Sequence, residues 1–518
     1  MLVSLLAAAV LAVFAAGIPS ASASNNPHIM PFLSAAGAPV TNSVTNTPDG
    51  VTSNNPGLTG FLGEDGVLSN QLNGFELEPP DQALCAGGGY VMEAINLVWA
   101  VYTPDGTVVA GPQDANSFFG EDPAVFTSDP KCYYDARTQR WFVTILATDL
   151  FTGNSYSQVD VAVSKTSNPA GPYYHYKVDD TFSGQGGCPC IGDQPLIGAD
   201  ANGFYLDVNA FDFNSLSYKG SSIYALSLKG LENGKLGNVV HAQVPNQTPS
   251  GARPASLQPA ESPTGQYQSA AGGTEYFMSG NSANSGTQHA ITVWALSGTS
   301  SLARSNPSLA LNAVSLPSEP YGRPGNMTQE AGPLPLGNSL GFTSPVALQT
   351  NDDRMNQVVY AGGKLWGGLN TDVNGQPGIA WFVVEASGGT SSLAANISNQ
   401  GFLTGSGGLG LAYPSIGVNS SGGAVMAFDM SGLSNYPSVG YVTMTATGSP
   451  GLIHIAASGP GPEDSLTCYI KHLGGCRWGD YTAAAVASDG SVWFAGEVTT
   501  SHRDAQVNWG TFIGNVAP

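Results

Sequence analysis

The feature that most constrains this chain is a two-strand plan that recurs along it. Each copy has a Pro or Asp opener, a short strand, a polar turn with Gly or Asn, and an aromatic second strand. The plan occurs at residues 80–92, 129–143, 192–206, 413–426 and 479–494, with weaker copies at 256–278 and 356–366. Third strands follow most copies, beginning near Trp99, Val159, Ser222, Ile291 and Ala380, and the spacing leaves room for a fourth. Tight hairpin turns need positive φ, which accounts for Asn202-Gly203 and Asp489-Gly490. A lone hairpin cannot bury its apolar face. Radial stacking of such units does so and leaves few open edges. The expected fold is therefore all-β: a single β-propeller of six to eight blades, with seven matching the number of copies. A parallel β-helix, the main rival, would show a shorter and more regular period. Seven copies over residues 75–518 give about 63 residues each. Compact blades run to roughly 40–50 residues, so long loops are expected near 246–270 and 300–350.

Three segments are expected. Residues 1–23 read as a signal peptide, because an apolar run ends in Ala21-Ser22-Ala23, an A-x-A cleavage pattern. Residues 24–74 are rich in Asn, Gly, Pro, Ser and Thr and read as a low-complexity leader that packs along the outside of the fold. Residues 75–518 form the propeller. No later stretch has transmembrane length, so no membrane span is expected once the signal is cleaved, and the protein is expected to be secreted and extracellular. Helix is expected to be scarce, with a single turn near 225–231.

Charge narrows the possible partners. The chain has 16 Lys and Arg against 37 Asp and Glu, a formal charge of −21, and only 10% charged residues. Nucleic acids and anionic membranes are held mainly by basic side chains, so both are excluded as partners. A low density of carboxylates also suits an acidic habitat, since few groups need protonating as pH falls.

The six cysteines, Cys85, Cys132, Cys188, Cys190, Cys468 and Cys476, read as disulfides in an exported chain. Cys85 and Cys132 sit on the innermost strands of successive blades and are expected to pair. Cys468 and Cys476 enclose a short Gly-containing loop and are expected to pair as well. Cys188 and Cys190 are then left to each other.

The residues Asp129-Pro130, Tyr134-Asp135, Arg140-Trp141, Gly192-Asp193, Pro195 and Gly198 carry a resemblance, together with Ser415, Asn419 and Arg477-Trp478-Gly479-Asp480-Tyr481. They resemble a widespread group of secreted bacterial propeller-like proteins with D-P or D-Y-P blade openers and a terminal R-W-G-D-Y element. The resemblance implies the propeller fold and brings no assigned activity. The hairpin at 489–494 is similar to turns in lyase and sialidase propellers, but departs from the sialidase Asp-box spacing.

Openers of innermost strands meet at one mouth of a propeller's channel. Asp81, Asp129, Asp193 and Asp480 are expected there, with Tyr413 in the matching place in another copy and Glu78 and Arg477 just upstream of the first and last. Three uses are open to them. Aspartates can cap backbone N–H groups. They can hold a hard cation such as Ca²⁺, the one cofactor the pattern suggests. They can divide into the acid and base of a glycosidase. Trp99, Trp141, Trp294, Trp366, Trp381 and Trp493 belong to predicted strands and to the core. Trp478 and Trp509 lie in turn-like contexts and are expected to be exposed. Trp478, Tyr481 and Arg323, the last from a loop at 321–324, are the ligand-binding candidates. The matches to G-x-S-x-G at 337–341 and G-x-G-x-x-G at 405–410 lack their structural contexts and read as loops. Two functions follow: an extracellular binding or adhesion module for a glycan or cell-surface partner, or a carbohydrate-active hydrolase or lyase with acidic residues at the channel mouth.

Overall fold

The structure is a computed structural model that describes residues 51–75, 77–149, 156–184, 189–282, 286–470 and 473–518. The expected signal peptide and the first part of the leader lie outside these residues.

Among the described residues the strands form seven antiparallel units of four strands arranged as blades, the sixth extended by Val51–Thr52, which pairs in parallel with Ile453–Ser458. The innermost strands, in chain order, are Ala83–Gly87, Phe126–Asp135, Cys190–Ala199, Gln258–Glu261, Met355–Ala361, Gly410–Val418 and Ala483–Val486. Each touches the next, and the seventh touches the first, so the ring is closed around an axial channel. Blades 4 and 5 are also joined edge to edge, where Ala260 and Glu261 pair in parallel with Val358 and Val359. The core lies between blades, as apolar side chains of one sheet pack on those of its neighbour. Trp141, Phe142, Phe204 and Trp366 are wholly buried or nearly so, and Trp99, Trp294, Trp381 and Trp493 are buried with them.

The seam between blades 7 and 1 corrects the expected domain boundary. Residues 479–518 supply only three strands of blade 7. The fourth is Thr59–Asp65, which pairs antiparallel with Trp509–Val516, Phe61 opposite Ile513. A helix, Gly66–Asn73, follows; Asp65 caps its N-terminus and Gly74, at φ 79°, its C-terminus. The propeller thus begins inside the segment assigned to the leader. At this seam Leu84, Val91 and Ala100 pack on Trp493, Ala495 and Ile513.

Short helices also occur at Ala115–Phe119, Leu228–Glu232 and Pro335–Ser339. The last takes up part of the 337–341 stretch expected to be loop, because Pro335 opens a turn whose amides at Leu336 and Gly337 donate to Asp464. Among the described residues no helix is long and apolar enough to cross a membrane.

Two expected disulfides are present. Cys85 and Cys132 join blades 1 and 2 with Cα atoms 5.4 Å apart. Cys468 and Cys476 close the loop before Arg477. The expected Cys188–Cys190 bridge lies outside the described residues, since Cys188 is not among them.

Candidate functional site

One residue at the opener of every blade has left-handed backbone. These are Asp81, Asp129, Gln194, Ser256, Asn351, Tyr413 and Gly479, all with φ between 49° and 60°. In blades 2, 3 and 6 the residue sits in a β-bulge and Pro follows it, at 130, 195 and 414. Left-handed backbone at a non-glycine residue costs on the order of 1–2 kcal/mol. Its repetition around the ring shows that the surroundings impose it.

Those surroundings are hydrogen bonds between blades. Asn96, just past the second strand of blade 1, accepts from the Asp129 amide at 2.7 Å and donates to Asp81 Oδ2 at 2.7 Å and to the Pro79 carbonyl. Asn209 of blade 3 accepts from the Ser256 amide at 2.9 Å. Asn370 of blade 5 accepts from the Tyr413 amide and donates to the Thr350 carbonyl. Between blades 2 and 3 the acceptor is Asp129 itself, whose Oδ2 takes the Gln194 amide at 3.2 Å. Each interaction satisfies a buried opener amide, which in blades 2, 3 and 6 is one that the bulge removes from the strand ladder.

This pattern corrects the expected equivalence of the four aspartates. Asp81 and Asp129 hold the left-handed position. Asp193 precedes it, and Asp480 follows it, with Gln194 and Gly479 in the equivalent places. The four carboxyl groups nevertheless meet at one end of the channel. Burial, then Asp480 and Asp129, push Asp81 well above the ordinary carboxyl range. Burial, then Asp129, do the same for Asp193. Asp129 is raised by burial and by Asp480, and Lys131 opposes the rise. Two arginines face this group. Arg477 Nη2 lies 2.9 Å from Asp480 Oδ2, and Asn351 donates to Asp480 Oδ1 at 2.8 Å. Arg354 grips Asp352 with Nε and Nη2, at 2.7 and 2.9 Å, and donates from Nη1 to Gln194 across from blade 5. Burial alone would raise Asp352; its paired contacts with Arg354 hold it below the ordinary value. Arg323, half-buried, lies near Asp352 and Asp353.

The aromatic candidates are placed otherwise than expected. Trp478 and Trp509 have no exposed surface, and Tyr481 retains 3%. The disulfide between Cys468 and Cys476 folds its loop inward, and Trp478 packs there with Trp509, Val507 and Tyr413. Tyr481 turns into the channel and donates to the Pro130 carbonyl at 3.0 Å. None of the three rings offers a face for stacking. Tyr413 is also wholly buried and donates to the Gln349 carbonyl. Among the described residues no three His, Cys, Asp or Glu side chains are grouped to hold a metal ion.

The sequence reading missed Asp352 and the bridging Asn96, Asn209 and Asn370. A signal for the last three exists: each Asn lies at or near the end of a second strand, where the next blade's opener comes within reach. Chemically, the arrangement is a nearly closed girdle of carboxyl groups, amides and two arginines. The Asp480 side chain keeps 19% of its surface exposed.

No protein-family model matches the chain, and no curated protein matches it either. Among solved structures it is similar to a Trypanosoma rangeli sialidase at 9% identity and TM-score 0.37, covering 89% of this chain and 60% of that one. A protein of unknown function from Dyadobacter fermentans aligns at 8% identity and TM-score 0.39, covering 76% of this chain and 95% of that one. An exo-β-1,3-galactanase from Clostridium thermocellum aligns at 11% identity and TM-score 0.30, covering 92% of this chain and 96% of that one.

Proposed function

We propose that this protein is an extracellular binding module that engages a glycan or cell-surface partner over the opener end of the channel, at Asp480, Arg477 and Arg323. The observation that carries this reading is the engagement of the other carboxyl groups. Asp81 and Asp129 are tied into the bonds that join blades, and Asp480 is the member of the four with substantial exposure. A charge-paired Asp and Arg at a rigid rim can orient hydroxyl or amide groups of a ligand. The test is binding of the secreted protein to a glycan array and to whole cells, alongside Asp480→Asn and Arg323→Ala. Wild-type binding that both variants weaken at unchanged stability supports the reading. Binding that neither variant alters overturns the assignment of this rim.

One observation favours a second reading, a carbohydrate-active hydrolase or lyase. Asp81 and Asp129, both raised by burial, gather beside Asp480, and glycosidic cleavage uses carboxyl groups of unlike protonation. Release of reducing ends from polysaccharides by the wild type, and its loss in Asp480→Asn, would establish this reading in place of the first.

A further inference from the structure

Behind the girdle lies a small cleft of about 30 Å³, lined by the innermost strands of six blades. Gln82, Lys131, Glu261, Asn356 and Tyr481 are among the residues that face it. We infer that this cleft is a binding site for a small monocarboxylate, held by the ammonium group of Lys131 and the side-chain amides of Gln82 and Asn356.

The inference rests on unmatched donors. Among the described residues Lys131 has neither an ion-pair nor a hydrogen-bond partner; its ammonium lies over the ring of Tyr481. Gln82 has no exposed surface, and neither atom of its amide has a partner. Asn356, 4% exposed, leaves Nδ2 without an acceptor. Leaving a buried amide donor unsatisfied is costly, and two such amides line one cleft together with the half-buried Lys131. A carboxylate offers only acceptor oxygens and one negative charge, which matches one ammonium and two amides.

The charged surroundings fit an anion of single charge. The groups facing Lys131 are Asp129, Asp81, Glu261 and Asp480. Burial pushes Glu261 up to about 8, and it raises Asp129 and Asp81 as well. In mildly acidic solution Glu261 is therefore a neutral acid. Burial brings Lys131 down to about 7, so below that pH it is a cation. An anion of higher charge would crowd its second charge against the carboxyl groups around Lys131, and a cation would meet Lys131.

Acetate is the probe. At pH 5 and fixed ionic strength, acetate in place of chloride should raise the unfolding midpoint of the whole secreted chain, since a ligand bound only by the folded state stabilises it. The resonance of [1-¹³C]acetate should broaden on addition of protein. Both effects should vanish in Lys131→Met and persist in Lys131→Arg, with near-ultraviolet circular dichroism reporting the fold. If Lys131→Met does not fold, Gln82→Leu decides: acetate affinity should fall about tenfold, the effect of about 1.4 kcal/mol. Acetamide matching acetate, an equal response in the folded Lys131→Met or Gln82→Leu variant, or a crystal grown in acetate with only water in the cleft would overturn the inference.

Discussion

Raising the pH should weaken the seam between blades 7 and 1. There Glu64, on the strand Thr59–Asp65, meets Glu93, on the strand Tyr90–Ile95 of blade 1. The Glu64 amide donates to Glu93 Oε2 at 2.9 Å, and the Tyr102 hydroxyl donates to Glu64 Oε1. Glu93 is wholly buried and Glu64 is 2% exposed. Burial, with repulsion from Glu64, moves Glu93 from 4.5 to about 8, and burial moves Glu64 from 4.5 to about 7. A carboxyl raised on folding binds its proton more tightly in the native state. Its stabilisation is complete below the unfolded value near 4.5 and is lost as pH rises through 7 to 8. At 1.36 kcal/mol per unit, Glu93 alone accounts for roughly 5 kcal/mol between pH 4.5 and 8.5. Glu93→Gln removes this titration and keeps an acceptor for the Glu64 amide. Urea unfolding of wild type and variant at pH 4.5 and pH 8.5 measures the effect. The variant should be within about 1 kcal/mol of wild type in acid, where one amide replaces a neutral carboxyl, and more stable than wild type by several kcal/mol at pH 8.5. A wild-type stability that does not fall with pH, or a Glu93→Gln effect of equal size at both pH values, would refute the reasoning.

Asn96→Ala should destabilise the protein by about 2–4 kcal/mol in urea titrations, because it leaves the Asp129 amide, Asp81 Oδ2 and the Pro79 carbonyl without partners between blades 1 and 2. Gly63→Ala should cost about 1–3 kcal/mol, since a Cβ there collides with the Glu93 carboxylate and the Thr511 hydroxyl in a packed seam; a neutral result in thermal melts would show that the N-terminal strand has slack. Replacing Cys85 and Cys132 by Ala should lower stability by about 4 kcal/mol, and replacing Cys468 and Cys476 by about 2.5 kcal/mol, following loop lengths of 47 and 8 residues; the reverse order would favour native-state strain over chain entropy.

The sequence by itself determined the hairpins, their repetition and two disulfide pairings. These depend on short-range chemistry: alternating apolar residues, turns at Asn202-Gly203 and Asp489-Gly490, and Cys85 and Cys132 at matching places in successive copies. It also placed Asp81, Asp129, Asp193 and Asp480 at one end of the channel, because equivalent strand openers converge in any closed ring. Tertiary structure decided three other matters. The strand Thr59–Asp65 reads as leader because its partner, Trp509–Val516, lies some 450 residues away, and no local pattern encodes a pairing of that range. Trp478 reads as exposed from its turn-like neighbours, yet the loop closed by Cys468 and Cys476 turns it into the core. The left-handed residue of an opener is set by the acceptor its amide can reach: Gln194 rather than Asp193 because Asp129 of the neighbouring blade takes its amide, and Gly479 rather than Asp480 because Glu497 of the same blade does. Backbone strain of that kind is held in place by contacts across blades, and such contacts exist only once the ring has closed.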